Sequence, residues 1–388
     1  MIPYAVYEVK KLSVVKLKYT FLLNNVIDTV IYPILMTYKY ELPQARIKKI
    51  ESICVFCWGR LGDVFIRTPI LDALNKKFPG AIITIVTDPA ATRAFNPHTT
   101  EYNIFPFSRL YKGRINSFMH TIDNIRALRR KRFDLSIDLY GGGSSPLISY
   151  LVASKIRLAF DHRVKLRISN NLLAPYPQNI EHWSQSIGSM LTPLGINYKQ
   201  ISTDVTYNCD GQSRAHVKHL FNVPGTHYVG INLGASTLDK AWPAKNTIEL
   251  LTTLSARTNI TPVIFFNPGQ EDISEHFLSL YPYNCVSLKG LKFEQEAAAL
   301  EHCDIFITGD TALMHLATGV KTPVFAFFLE TRPEPVQPRL NPFHACFIEN
   351  PEKELIYGFH QVKNKIPVSA ALTEFIHFTE SKLNWTYH

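Results

Sequence analysis

Residues 303–328 read CDIFITGDTALMHLATGVKTPVFAFF. DIFIT is a short run of β-branched and aromatic residues and reads as a strand. GD breaks it, TALMHLATGV reads as a helix, and PVFAFF reads as a second strand. Strand, turn, helix and strand in that order make a βαβ unit, whose two strands lie parallel in one sheet. The same alternation extends outward. HYVGINLG (227–234) and PVIFFN (262–267) read as strands, and Asn246 to Arg257 and FEQEAAALEHC (293–303) as helices. A separate cycle begins at SICVFCW (52–58). It continues through a helix over VFIRTPILDALNKKF (64–78), the strand AIITIVTD (81–88), the helix SFMHTIDNIRALRRKRF (117–133) and the strands DLSIDLY (134–140) and IRLAF (156–160). Two such cycles predict two doubly wound, Rossmann-like parallel-sheet domains facing a central cleft. The expected boundaries are 49–210 and 211–388, divided within the polar stretch NYKQISTDVTYNCDGQSRAH (197–216).

The bulk properties agree with this class. A chain of 388 residues exceeds one ordinary domain. With 46% hydrophobic and 19% charged residues it is too apolar and too sparsely charged for disorder. The net charge of +9 is unevenly placed: residues 1–205 carry an excess of about 13 positive charges, the remainder a slight negative excess. A basic first half suits a polyanionic partner: nucleic acid, anionic lipid or an acidic saccharide. No helix-turn-helix or aromatic RNA-binding signature is present, which argues against nucleic acid. Of the six cysteines, Cys54 and Cys57 form a CxxC inside an apolar strand, where residues i and i+3 point to opposite faces and cannot share a metal. No second CxxC completes a zinc site, so we expect reduced core thiols and no metal.

Residues 1–48 read as an extension. LLNNVIDTVIYPILMT (22–37) places Leu22, Val26, Val30 and Ile34 on one helical stripe, preceded by Lys10, Lys11, Lys16 and Lys18. Asn24, Asn25 and Asp28 interrupt it, so it does not read as a membrane span. An amphipathic helix lying on an anionic membrane surface, or packed on the protein's own body, fits better.

In doubly wound sheets ligands sit beyond the carboxyl ends of the strands. The loops there are GRLGDV (59–64), YGGGSS (140–145), GASTLDKAWP (234–243), NPGQED (267–272) and GDTALMHLA (309–317). The last opens a helix, whose free N–H groups and dipole attract phosphate. Asp310 there suits the hydroxyls of a neutral sugar, while Thr311 and His315 lie within reach of the same ligand. Lys240 can neutralise charge on a departing diphosphate. Asp63, at a strand–helix turn, can act as a base. The bland alternatives are an N-cap for either aspartate, a core position for His315 and a surface position for Lys240. GRLGDV is neither a dinucleotide fingerprint nor a P-loop.

Five stretches together resemble glycosyltransferase family 9, the ADP-heptose:lipopolysaccharide heptosyltransferases. They are WGRLGDVFIRTPILDALNKKFPGAIITIVTD, FDLSIDLYGGGSS, YVGINLGASTLDKAWP, FFNPGQED and CDIFITGDTALMHLATGVKTPVFAFF, in the family's order over roughly residues 50–375. The resemblance implies a GT-B fold and an inverting, metal-independent transfer with an ADP-sugar as donor substrate and no cofactor. It implies Asp63 as general base, Lys240 and Ser236 at the donor phosphates, Glu271 near the ribose and Leu291 against the adenine. Asp310 would hold the sugar, with Thr311, Ala312 and His315 beside the diphosphate. Two positions depart from the family's habit: Ala312 stands where Gly is usual, and Gly309 where Asn is frequent. The backbone N–H of Ala312 still serves phosphate provided φ is negative.

The expected reaction moves a sugar, heptose by the resemblance, onto an acidic lipopolysaccharide or lipooligosaccharide core at the cytoplasmic face of the bacterial inner membrane, with the chain peripheral to it. Arg60, Arg67 and Arg114 are candidates for the acidic acceptor, chosen by position. Two alternatives remain at this point. Another sugar-nucleotide enzyme of this fold, such as an epimerase, would turn over without an acceptor. A non-catalytic sugar-nucleotide-binding protein would bind donor and transfer nothing.

Overall fold

The computed structural model describes residues 49–108, 114–142, 144–161, 170–235, 240–347 and 366–388. The amphipathic stretch expected at 22–37 lies outside them.

Two six-stranded sheets, parallel throughout, form the framework. The first holds β1 (Ser52–Phe56), β2 (Ile82–Thr87), β3 (Asn103–Pro106), β4 (Leu135–Asp138), β5 (Ile156–Phe160) and β6 (Leu172–Ala174) in the order 3-2-1-4-5-6. The second holds β7 (His227–Ile231), β8 (Ile260–Ile264), β9 (Val286–Ser287), β10 (Ile305–Gly309), β11 (Val324–Phe328) and β12 (Phe343–Phe347) in the order 12-11-10-7-8-9. Counted from its own first strand, the second sheet repeats the order of the first. The strand order therefore reverses between β1 and β4 in one sheet and between β7 and β10 in the other. Those crevices are where a doubly wound sheet takes ligands, and four of the five loops singled out above leave those four strands.

The strands are apolar because helices cover both faces. Cys54, Phe56 and Trp58 join one buried cluster, and Ile53, Val55 and Cys57 join another, so the two thiols of the CxxC lie on opposite faces of the first sheet. The second cluster continues into residues of the other sheet, including Val263, Phe265 and Phe306. Phe65 stacks on Phe293 at 6.4 Å between ring centroids, and Tyr207 meets both rings.

The helix expected over 64–78 is two helices, α1 (Leu61–Phe65) and α2 (Thr68–Lys77). Pro69 has no N–H to donate and is accepted only in a first turn, so a new helix starts there. The first half also holds α3 (Arg114–Arg130), α4 (Ser145–Val152) and α5 (Trp183–Gly188). Strands β3, β6, β9 and β12 and a C-terminal helix, Val368–Leu383, were not anticipated. These strands are short and lie toward the sheet edges, where burial on both faces no longer imposes an apolar run.

His182 fastens two distant segments. It is fully buried, accepts the Ser184 N–H on Nδ1 at 3.3 Å and faces the Gln337 carbonyl through Nε2 at 3.2 Å. The carbonyl needs a donor, so the ring is the neutral Nε2–H tautomer with both nitrogens used. The neighbouring Trp183 N–H donates to the Pro335 carbonyl at 2.9 Å, and the Ser184 hydroxyl to that of Ile66 at 2.7 Å. Burial, and then the charge of Arg339, push the His182 pKa down to about 4. An unfolded histidine takes its proton near pH 6.5 and the folded one near 4, so stability is lost as pH falls through that window. The loss should reach about 3 kcal/mol. Urea unfolding at pH 7 and pH 4.5 measures it. His182→Asn should flatten the dependence, and an unaltered slope would assign the acid sensitivity elsewhere.

Candidate active site

On the first sheet, the chain leaves β1 through Gly59, at φ +145°. A Cβ there would lie 2.9 Å from the Asp63 Cβ, 3.1 Å from its Oδ2 and 3.2 Å from the Arg67 Nη1, so only glycine allows the turn to close. Asp63 is the third residue of α1, not its N-cap. Its Oδ2 accepts the N–H of Arg60, the N-cap, at 3.0 Å. The carboxylate thus has a capping function, stands at a half-buried position and has lone pairs to spare beyond that bond.

Arg60 is exposed beside it. Arg67, expected at the acceptor surface, is instead 8% exposed and donates through Nη1 to the Trp58 carbonyl, with Nε unpartnered. Apolar stems bury easily, and the guanidinium follows once a carbonyl receives it. Arg67 therefore sits beneath the Gly59 turn and supports it. Arg114 begins α3, and its side chain lies outside the described residues, as does Ser236.

On the second sheet, β10 ends at Gly309, and a Cβ there would lie 3.0 Å from the Lys240 carbonyl oxygen. The absence of a side chain lets the loop after β7 cross closely, which is a physical reason for Gly at this position. The crossing brings Lys240 Nζ to 3.5 Å from Asp310 Oδ2, which also accepts the Thr331 hydroxyl at 2.7 Å. Both members of the pair retain about a fifth of their side-chain exposure, 22% and 21%, so they are held in place and still accessible. Asp310 precedes the N-cap of α10 (Ala312–Gly319), which is Thr311. No side chain caps the helix. Ala312 is absent from the positive-φ residues, so alanine costs nothing there. The other helices of the second half that precede it are α6 (Gly211–Val217), α7 (Ala244–Ser255), α8 (Glu271–Leu280) and α9 (Phe293–Leu300).

The Thr311 hydroxyl is engaged from behind. Asn232 Nδ2 donates to it at 3.1 Å and to Thr308 Oγ1 at 3.0 Å, while Asn232 Oδ1 accepts from Asn267 Nδ2 at 2.5 Å. Gln270 Nε2 donates to the Ala235 carbonyl at 2.9 Å. This network ties the ends of β7, β8 and β10 together, and Gly234 leaves it the space it fills. Sequence reasoning passed over Asn232, although an asparagine directly after the last residue of a buried strand was a readable signal.

His315, on α10, joins the two sides. It is 6% exposed. A Cβ on Gly62 would lie 3.4 Å from its Cδ2, so the amino ends of α1 and α10 meet edge to edge. Burial lowers the His315 pKa, while the charges of Asp310 and Asp63 oppose that. Two carboxylates, one from each sheet, thus act on one imidazole. Glu271 is exposed at the start of α8, its pKa lowered by its own backbone N–H and that of Gly269. Leu291 packs against the core in the loop after β9, where Lys289 pairs with Glu275 of α8 at 2.5 Å. The loops carrying Glu271 and Leu291 are therefore neighbours.

Two sheets of this order, with strand-end loops from both meeting at His315, make a GT-B fold. The chain belongs to glycosyltransferase family 9 (heptosyltransferase), whose family model matches residues 122–355. It is 24% identical over 276 residues to lipopolysaccharide heptosyltransferase 3 of Escherichia coli, an alignment covering 69% of this chain and 80% of that protein. Among solved structures it is similar to a family 9 glycosyltransferase from Veillonella parvula, with a TM-score of 0.72 and 18% identity over 88% of this chain and 99% of the other. It is also similar to the E. coli ADP-heptose lps heptosyltransferase II, with a TM-score of 0.67 and 18% identity over 86% and 99%.

Proposed function

We propose that this glycosyltransferase moves a heptosyl group from ADP-heptose to the core of lipopolysaccharide, with inversion and without a metal ion. The observation that carries this reading is the convergence of Asp63 and the Asp310–Lys240 pair on His315 from opposite sheets. Residues 49–210 then form the acceptor side and 211–388 the donor side. The acceptor hydroxyl gives its proton to Asp63 as its oxygen bonds to the anomeric carbon. The bond from that carbon to the phosphate oxygen breaks on the other face, and ADP leaves with the electron pair. Lys240 and the N–H groups opening α10 receive the charge that grows on the diphosphate. Asp310 orients sugar hydroxyls, and neutral His315 spaces the two carboxylates. Arg60 and the basic first half attract the acidic acceptor, and the chain works as a peripheral protein at the inner face of the bacterial inner membrane. The names of the E. coli relatives support the choice of donor and acceptor.

Incubation with ADP-heptose and heptose-deficient lipopolysaccharide should release ADP and give a product whose anomeric configuration, read by NMR, is opposite to that of the donor. Retention, or no transfer, would sink the proposal. Donor affinity measured by calorimetry should stay within about twofold in excess EDTA, because Lys240 and a helix terminus supply the positive charge. Binding that collapsed in EDTA and returned with magnesium would contradict it.

A further inference from the structure

Helices α3 and α4 lie side by side over one face of the first sheet, where Leu128 of one and Ile148 and Val152 of the other share a buried cluster. Helix α4 buries Ser145, Pro146, Ile148, Ser149 and Val152 and turns Leu147, Tyr150 and Leu151 outward at 49%, 43% and 37% exposure. The spacing i, i+3, i+4 puts all three on one stripe. Met119 of the adjoining α3 adds 49% exposure. Three large apolar side chains on one eight-residue helix are too concentrated for an ordinary solvated face. A basic run follows α3 to its end and past it: Arg129, Arg130, Lys131 and Arg132 are all exposed, and among the described residues no carboxylate pairs with them. The parallel sheet fixes where these features sit. Helix α4 starts at the carboxyl edge, from the loop after Asp138, and runs to the amino edge before Ile156. Helix α3 delivers its basic end to that same amino edge.

We infer that the outer face of α3 and α4 docks on an anionic lipid bilayer, with Leu147, Tyr150 and Leu151 at the boundary of headgroups and acyl chains and Arg129–Arg132 against lipid phosphates. An apolar stripe with cations beside it is the chemistry that holds a helix in a membrane interface. A second copy of this chain would offer the same cations to themselves, and so is disfavoured by charge. The inference deepens the proposed function, which gives the acceptor a lipid anchor. Docked this way, the amino end of α4 and the loop after β4 lie at the carboxyl edge that also carries Asp63, so a saccharide rooted in the bilayer meets the cleft directly.

The test is flotation of the full chain with phosphatidylglycerol-containing and pure phosphatidylcholine vesicles. Leu147→Ser with Leu151→Ser should weaken partition onto the anionic vesicles about tenfold. Arg129→Gln with Arg130→Gln should weaken it by about fivefold per cation at low salt, and little at high salt. Both variants should keep wild-type transfer to a deacylated, soluble acceptor and lose it in proportion for acceptor embedded in vesicles. Unchanged partition in both variants would overturn the inference. So would sedimentation velocity showing a wild-type dimer that the serine pair dissolves, or cation-dependent binding to RNA with none to vesicles. Vesicle binding without transfer to either acceptor would leave the docking face standing and remove the proposed reaction.

Discussion

Asp63→Asn should lower kcat by two to four decades and leave donor affinity nearly unchanged, which is the loss expected when a positioned general base is removed. The local structure makes the variant clean. Asp63 accepts the Arg60 N–H at 3.0 Å, and an asparagine carbonyl oxygen accepts the same bond, so α1 keeps its start. The space around Gly59, 3.1 Å from the carboxylate oxygen to a notional Cβ, accommodates an amide of the same size. What is lost is the capacity to take a proton. Steady-state kinetics with lipopolysaccharide acceptor, together with calorimetry of the donor, separate the two effects. A kcat near that of the wild type, with Tm unchanged, would leave Asp63 with its capping function alone.

Lys240→Met should cost about two to three decades in kcat, comparable to removing one preorganised donor from a developing negative charge. It should also weaken the donor, because in the proposed reaction the ammonium faces the diphosphate before as well as after bond breaking. Methionine keeps most of the stem's packing. Asp310 keeps the Thr331 hydroxyl at 2.7 Å, so its carboxylate does not collapse into another position. Lys240→Arg should recover only part of the rate, since the planar guanidinium cannot sit as a point charge 3.5 Å from Asp310 Oδ2 with the same reach. A variant with lowered donor affinity and an intact kcat would assign Lys240 to ground-state binding.

The doubly wound architecture was readable because buried parallel strands are apolar runs that no surface element imitates. SICVF, IITIVT and VFAFF declare themselves, and the loops after them then follow from topology. The pairing of Lys240 with Asp310 was not readable. It depends on the Gly309 backbone letting a chain segment cross 3.0 Å from where a Cβ would stand, and nothing in a linear string reports such a crossing. Arg67 was misplaced for a related reason: its partner is the Trp58 carbonyl, and a main-chain acceptor leaves no mark in the sequence. The break at Pro69 was visible and was passed over. Asn232 stands directly after a buried strand, which was legible; that it meets Thr308, Thr311 and Asn267 was not, because only mutual geometry distinguishes a network from a polar turn.

Four of the buried cysteines make the chain its own recorder of how it comes apart. Cys54 and Cys57 lie on the two faces of the first sheet, and Cys303 and Cys346 pack around the second, all without a disulfide. Burial raises the pKa of all four, that of Cys346 to about 12, so none reacts while its sheet is closed. Alkylation by a thiol reagent then times each opening separately. Equal rates for the two pairs would describe a molecule that opens as a single cooperative unit across its shared apolar core. A faster first pair would describe one in which the first sheet breathes while the second stays shut.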